Sequence, residues 1–227
     1  MTTRTVVHLM RHGEVHNPDG VLYGRMSGYR LSERGGQMVR HVADVLVSAD
    51  HDIRAVISSP LQRAQESARP TAEAFEVPLR TDDRLIEAGN SFEGFAVQRD
   101  KAMLAHPRYW PRYVDPPRPS WGEAYTDIAA RMRDAIIGAL DLGTGGEVLM
   151  VSHQLPIWTA RRFVERRPLW HDPRRRQCSL ASMTSLVFEG RTLMGMNYWE
   201  PAAEFLAGAS DVTPGTSAAA ENRGSGA

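Results

Sequence analysis

The chain has 227 residues, 42% hydrophobic and 24% charged, which suffices for one large globular domain whose core needs no disulfide or metal staple. Its 27 basic and 27 acidic residues cancel, which argues against a nucleic-acid or anionic-membrane partner, and the lone Cys178 excludes a disulfide framework and a cysteine-based zinc site. No run of 18 apolar residues offers a membrane span, and the apolar stretch within residues 1–10 is broken by His8 and too short for a signal peptide, so the sequence reads as a soluble cytoplasmic protein.

Residues Thr5 to Met10 begin β-branched and stop at Gly13, which predicts a buried strand feeding a loop. Asn17-Pro18-Asp19-Gly20, Gly24 and Gly28 extend that loop to Tyr29. Ser32 offers an N-cap, and Met38, Val42, Val45 and Leu46 recur at helical spacing to about Ser48. A second buried strand is predicted over Ile53 to Ser58, then a helix from Leu61 that Pro70 should kink or end. A short strand near Val77 to Arg80 leads into an acidic, glycine-containing stretch. Residues 95–122 read as a lid-like insertion, with Tyr109, Trp110, Tyr113 and Trp121 set among five prolines.

Residues Glu123 to Leu140 predict a helix, Gly143 to Gly146 a break, and Glu147 to Val151 a third buried strand, with another helix after Pro156. Leu180 to Phe188 and Thr192 to Trp199 read as a terminal hairpin joined at Glu189-Gly190. From Ala207 the chain carries mostly small and polar residues, so residues 207–227 are expected to be a disordered tail behind a single domain spanning 1–206. Alternating strands and helices predict an α/β fold, a three-layer α/β/α sandwich on a mostly parallel sheet.

Ligands of such sheets collect at the carboxyl ends of the strands. There the sequence places Arg11-His12-Gly13-Glu14, Ser58-Ser59-Pro60 with Arg63 one turn onward, and Ser152-His153. Two arginines and two histidines on one edge suit a phosphoryl group, because fixed cations match its oxygens and an imidazole can act as nucleophile. His8, His12 and His16 are spaced by four, but Gly13 and the β-rich start rule against a helical zinc face, and no metal or cofactor is expected. His41, His51, His106 and Cys178 read as ordinary surface or packed residues.

These motifs, in this order from about Val6 to about Leu186, resemble the histidine phosphatase superfamily and its phosphoglycerate-mutase-like fold. The resemblance implies that His12 attacks phosphorus to form a phosphohistidine, while Arg11, Arg63 and His153 hold the equatorial oxygens. It places Glu87 as the acid that protonates the leaving oxygen, with Glu93 in reserve, Glu14 as a structural member of its loop, and Asn17 as a phosphate ligand. Gln154 stands where the family usually has glycine. The basic, tyrosine-containing insertions of the mutase branch are not found, which favours a phosphatase of small-molecule phosphomonoesters. Mutase-type transfer and a non-catalytic phosphate-binding module are the alternatives. The basic run Arg174-Arg175-Arg176 reads either as a solvated loop or as recognition of a second anionic group. Nothing in the sequence fixes the oligomeric state, and a homodimer is compatible with it.

Overall fold

Three continuous apolar runs become the centre of one sheet in the computed structural model, which describes residues 3–96 and 122–212. Strands β1 (Arg4–Arg11), β2 (Ile53–Ser58), β3 (Leu79–Thr81), β4 (Glu147–Ser152), β5 (Met183–Glu189) and β6 (Thr192–Trp199) lie in the order β3-β2-β4-β1-β5-β6. The first four are mutually parallel, and β5 and β6 form the antiparallel hairpin that extends the sheet beyond β1. Helices α1 (Glu33–Ser48) and α2 (Gln62–Ala74) share one buried cluster with the sheet, centred on Met38, Leu46, Val56 and Leu149. Helices α3 (Tyr125–Leu140) and α4 (Gln154–Val164) share the other, with Ile128, Met132, Val148 and Ile157. The expected three-layer sandwich is therefore observed, with β1 and β4 adjacent at its centre and buried from both sides.

Two proline readings are corrected. Helix α2 continues through Pro70, although that residue has no N–H for the carbonyl one turn back. Thr71 and Ala72 beyond it are buried against the core, and that packing holds the last turn. Helix α4 starts at Gln154 and carries Pro156 inside its first turn, where an N–H has no helical partner in any case. Ser32 caps α1 as expected, accepting from the Gly35 N–H.

The loop after β1 lies directly on α1, and glycine permits the approach. A Cβ on Gly13 would come within 2.8 Å of the Gly35 carbonyl oxygen, and one on Gly35 would overlap the Glu14 carbonyl oxygen. Gly35→Ala must therefore displace that loop, and we expect a loss of about 1–3 kcal/mol, read from the urea midpoint. An unchanged midpoint would show that the loop can move without cost.

Most of the expected 95–122 insertion, including Trp110 and Trp121, lies outside the described residues; its flanks meet through the Asn90–Gly122 bridge. The expected disordered tail is corrected at its start. Arg34 donates to the Ala207 carbonyl at 2.9 Å and the Ser210 N–H donates to Glu14 at 2.6 Å, so residues 207–212 run along the molecule. Residues 213–227 lie outside the described residues. No helix among the described residues is long and apolar enough to cross a membrane.

Candidate active site

Parallel pairing sets Arg11 beside Ser152 and Ser58 beside Val151, so β1, β2 and β4 end level with one another. The residues that follow these ends converge. Arg11, His12, Arg63 and His153 are each at most 2% exposed, and the two imidazole rings stand 5.2 Å apart. The His12 loop is fixed by its backbone: the His12 N–H donates to the Ser152 carbonyl, and the Ala181 N–H donates to the His12 carbonyl. Ser67 joins it to α2, accepting from the Gly13 N–H and donating to the Arg63 carbonyl.

His12 is held as a nucleophile requires. Its Nδ1 lies 2.8 Å from the Gly13 carbonyl oxygen, which can only accept, so Nδ1 carries the proton and Nε2 keeps its lone pair. Burial, then the charges of Arg63 and Arg11, push its pKa well below the ordinary imidazole range, so the ring is neutral at working pH.

His153 occupies the expected place but is committed on both nitrogens. Arg63 Nη2 donates to Nδ1 at 3.3 Å, which leaves Nε2–H to donate to Ser59 Oγ at 2.8 Å. Burial, followed by Arg63 and His12, lowers its pKa well below the ordinary value. In this arrangement His153 orients Arg63. That guanidinium also donates to the Gly24 carbonyl at 2.6 Å and lies 4.7 Å over the Tyr23 ring. Tyr23 was not anticipated; burial pushes its phenol up to about 12.

The Nε atoms of both Arg11 and Arg63 are buried without an acceptor among the described residues. Buried donors are nearly always satisfied in native folds, so two such atoms beside a neutral imidazole suit a site for oxyanions. Arg11 itself carries an acidic group that sequence reading missed. Its Nη1 and Nη2 each donate to a different carboxylate oxygen of Asp211 at 2.7 Å, a bidentate pair, while Nη1 also donates to the Cys178 carbonyl. Burial raises the Cys178 thiol to about 11, consistent with a packed, unreactive residue.

A cavity of about 290 Å³ opens on this edge, lined among others by Arg11, His12, Tyr23, Glu87, Gln154 and Arg176. Burial drives the Glu87 carboxyl above its usual range, against the opposing Ala88 N–H and the nearby arginines, so its acid form persists to higher pH. Glu93, the reserve candidate, is not among the residues lining this cavity. Its Oε1 accepts from the backbone N–H groups of Arg25 and Asn90, tying two loops together. Glu14 bonds to Ser32 and to the Ser210 N–H, as a structural residue.

Two expectations for this edge are corrected. Asn17 does not line the cavity; its amide accepts from the Val21 N–H and donates to the Val21 carbonyl, closing its own loop. Of the three consecutive arginines only Arg176 reaches the cavity. Arg174 is exposed and paired with Asp172, and Arg175 lies in a separate surface groove. His8 and His51 both bond to one Glu147 oxygen, at 2.9 and 2.6 Å, near the opposite end of β4. Ser185 and Trp199 close that network, which is satisfied as hydrogen bonds. A larger apolar cavity of about 580 Å³ beside α3 and α4 is lined by neither the histidines nor the arginines of the phosphate edge.

The chain is 52% identical over 203 residues to the uncharacterized protein Rv0525 of Mycobacterium tuberculosis, covering 89% of this chain and 100% of that one. It is 26% identical over 182 residues to the probable phosphoglycerate mutase GpmB of Escherichia fergusonii, covering 77% of this chain and 82% of that protein. Among solved structures, a mycobacterial glucosyl-3-phosphoglycerate phosphatase superposes with a TM-score of 0.70 at 22% identity, covering 87% of this chain and 99% of that one. The sequence model of the histidine phosphatase superfamily (branch 1) matches residues 7–197, across all the strand ends described above, and the chain belongs to that superfamily.

Proposed function

We propose that the chain hydrolyses phosphate monoesters through a phosphohistidine on His12. The observation that carries this reading is the His12 imidazole itself: neutral, with Nδ1–H pinned on the Gly13 carbonyl, between two buried guanidiniums. In the first step His12 Nε2 attacks phosphorus, the P–O ester bond breaks, and the Glu87 carboxylic acid gives its proton to the leaving oxygen. In the second, water attacks phosphorus, the Glu87 carboxylate takes its proton, and the P–N bond breaks to free Nε2. Arg11 and Arg63 hold the equatorial oxygens through both displacements, supplying the positive charge that a metal supplies in other phosphoryl-transfer sites.

The test is hydrolysis of p-nitrophenyl phosphate from pH 4 to 9 with EDTA present. Turnover that survives the chelator and scales with enzyme is expected. Phosphoryl transfer to an added alcohol without release to water would favour mutase-type chemistry, and tight phosphate binding without either product would favour a binding module.

A further inference from the structure

Away from the phosphate edge, three side chains from separate parts of the chain converge on one point. His8 lies in β1, Glu147 opens β4, and His51 sits in the turn between α1 and β2. His8 Nε2 stands 2.9 Å and His51 Nδ1 2.6 Å from the same carboxylate oxygen, Glu147 Oε2. The three atoms all lie within 4.8 Å of one another. Five steps of extended chain, about 3.3 Å each, put Glu147 on the order of 17 Å from Ser152 at the carboxyl end of β4.

The backbone delivers each group. His8 is two residues from Met10 and so shares its face of β1, where Met10 joins the cluster around Met38 of α1. His51 ends a Schellman turn. The Asp50 N–H donates to the Val47 carbonyl, the His51 N–H donates to the Leu46 carbonyl, and Asp50 takes the φ of 52° that reverses the chain. The β5–β6 hairpin fixes both rings. Ser185 Oγ lies 2.8 Å from His8 Nδ1 and accepts from Trp199 Nε1 at 3.0 Å. The Trp199 indole stacks 6.0 Å from the His51 ring at an interplanar angle of 11°. Orienting contacts of this kind surround the ligands of protein-bound metals. Arg54, which follows in β2, pairs with Asp52 rather than with Glu147.

A carboxylate offers two oxygens, yet both imidazoles aim at one. That is the arrangement a cation requires, since its ligands must share a point. Zinc takes imidazole nitrogen and carboxylate oxygen at about 2.0–2.2 Å, and two histidines with one glutamate leave a fourth position for water. Tetrahedral bonds of that length space the ligand atoms by about 3.3–3.5 Å, so Oε2 withdraws by less than about 1 Å to admit the ion. Glu147 is 20% exposed on the first residue of its strand, where its side chain has that freedom. Protons balance within the rings. His8 moves its proton from Nε2 to Nδ1, where Ser185 Oγ accepts it, and His51 moves its own from Nδ1 to Nε2.

We infer that His8, His51 and Glu147 bind a divalent transition-metal ion of the zinc class, which clasps β1, β4 and the α1–β2 turn and takes no part in hydrolysis. The test titrates zinc chloride into the tag-free full chain, stripped with EDTA, against a chromophoric chelator. One zinc per chain is expected, with a dissociation constant of about 1 μM or tighter. A hundredfold excess over that constant should raise the melting temperature by about 5–10 °C. Glu147→Gln keeps an oxygen that accepts both imidazole N–H groups but loses the charge. It should therefore hold the fold and weaken zinc at least about tenfold. His51→Gln, at the partly exposed rim, should weaken zinc alike, and it serves if the first variant does not fold. Turnover of p-nitrophenyl phosphate by wild type should be equal with zinc and with EDTA. No zinc bound at about 100 μM overturns the inference and leaves a hydrogen-bonded network only. Wild-type affinity in both variants, with turnover inhibited, overturns it too and moves the ion to His12 and His153. Binding and melting need no activity, so they decide the site whatever becomes of the phosphatase reading.

Discussion

His12→Ala should lose at least about 10³-fold in turnover and all covalent labelling by 32P-labelled p-nitrophenyl phosphate. Among the described residues, no second imidazole stands ready to attack. His153 is the nearest imidazole, but its one lone pair, on Nδ1, accepts from Arg63, and its Nε2–H donates to Ser59 Oγ, so no lone pair is left to attack. Alanine keeps the backbone bonds of the loop to Ser152 and Ala181, so the fold should persist, and a matched melting curve separates lost chemistry from lost structure. The label on wild type should be acid-labile and base-stable, as a phosphoramidate is. Retained label or turnover in the alanine variant would place the nucleophile elsewhere.

Glu87→Gln should cost about 10²- to 10⁴-fold on an alkyl phosphate such as glycerol 3-phosphate, whose poor leaving group needs a proton. p-Nitrophenolate leaves without that help, so the variant should still release it in a rapid burst and then stall as phosphoenzyme, because no base activates water. The pH dependence follows from the two shifts. Burial raises the Glu87 pKa, and only its protonated form serves the first step, so activity falls as pH rises through that value. His12 must be neutral, and its pKa lies well below the ordinary imidazole range, so activity persists into acid. The glutamine variant should lose the alkaline limb. If the p-nitrophenyl phosphate burst slows as much as glycerol phosphate turnover, Glu87 is not the leaving-group acid.

How much of the fold and site was legible in the sequence depended on whether a signal was local. Strands β1, β2 and β4 are unbroken apolar runs, and Ser32 with a helical apolar pattern marks α1, so their positions were readable to within a residue or two. The ends of those strands then brought Arg11, His12, Arg63 and His153 together. Pro70 and Pro156 misled because their local cost is real, while what offsets it is tertiary packing in one case and position in the first turn in the other. Asn17 failed for a related reason: an amide that closes its own loop and one that binds phosphate look the same in a string of letters. Which of the three adjacent arginines turns inward is decided by the one-turn helix at Pro173–Arg175, and composition cannot show that. Asp211 was beyond reach, since its partner lies 200 positions upstream in a stretch whose small residues suggest no order.

That last contact has a thermodynamic corollary. An oxyanion that takes the Nη1–Nη2 edge of Arg11 and the Asp211 carboxylate are rivals for the same two donors. The apparent dissociation constant of any such ligand is then its intrinsic value divided by the fraction of molecules in which that edge is open. Linkage makes the relation reciprocal: each ligand bound at Arg11 weakens, by the same factor, the hold of residues 207–212 on Glu14 and Arg34. Occupancy of the phosphate edge and docking of the chain's last described residues are two readings of one equilibrium.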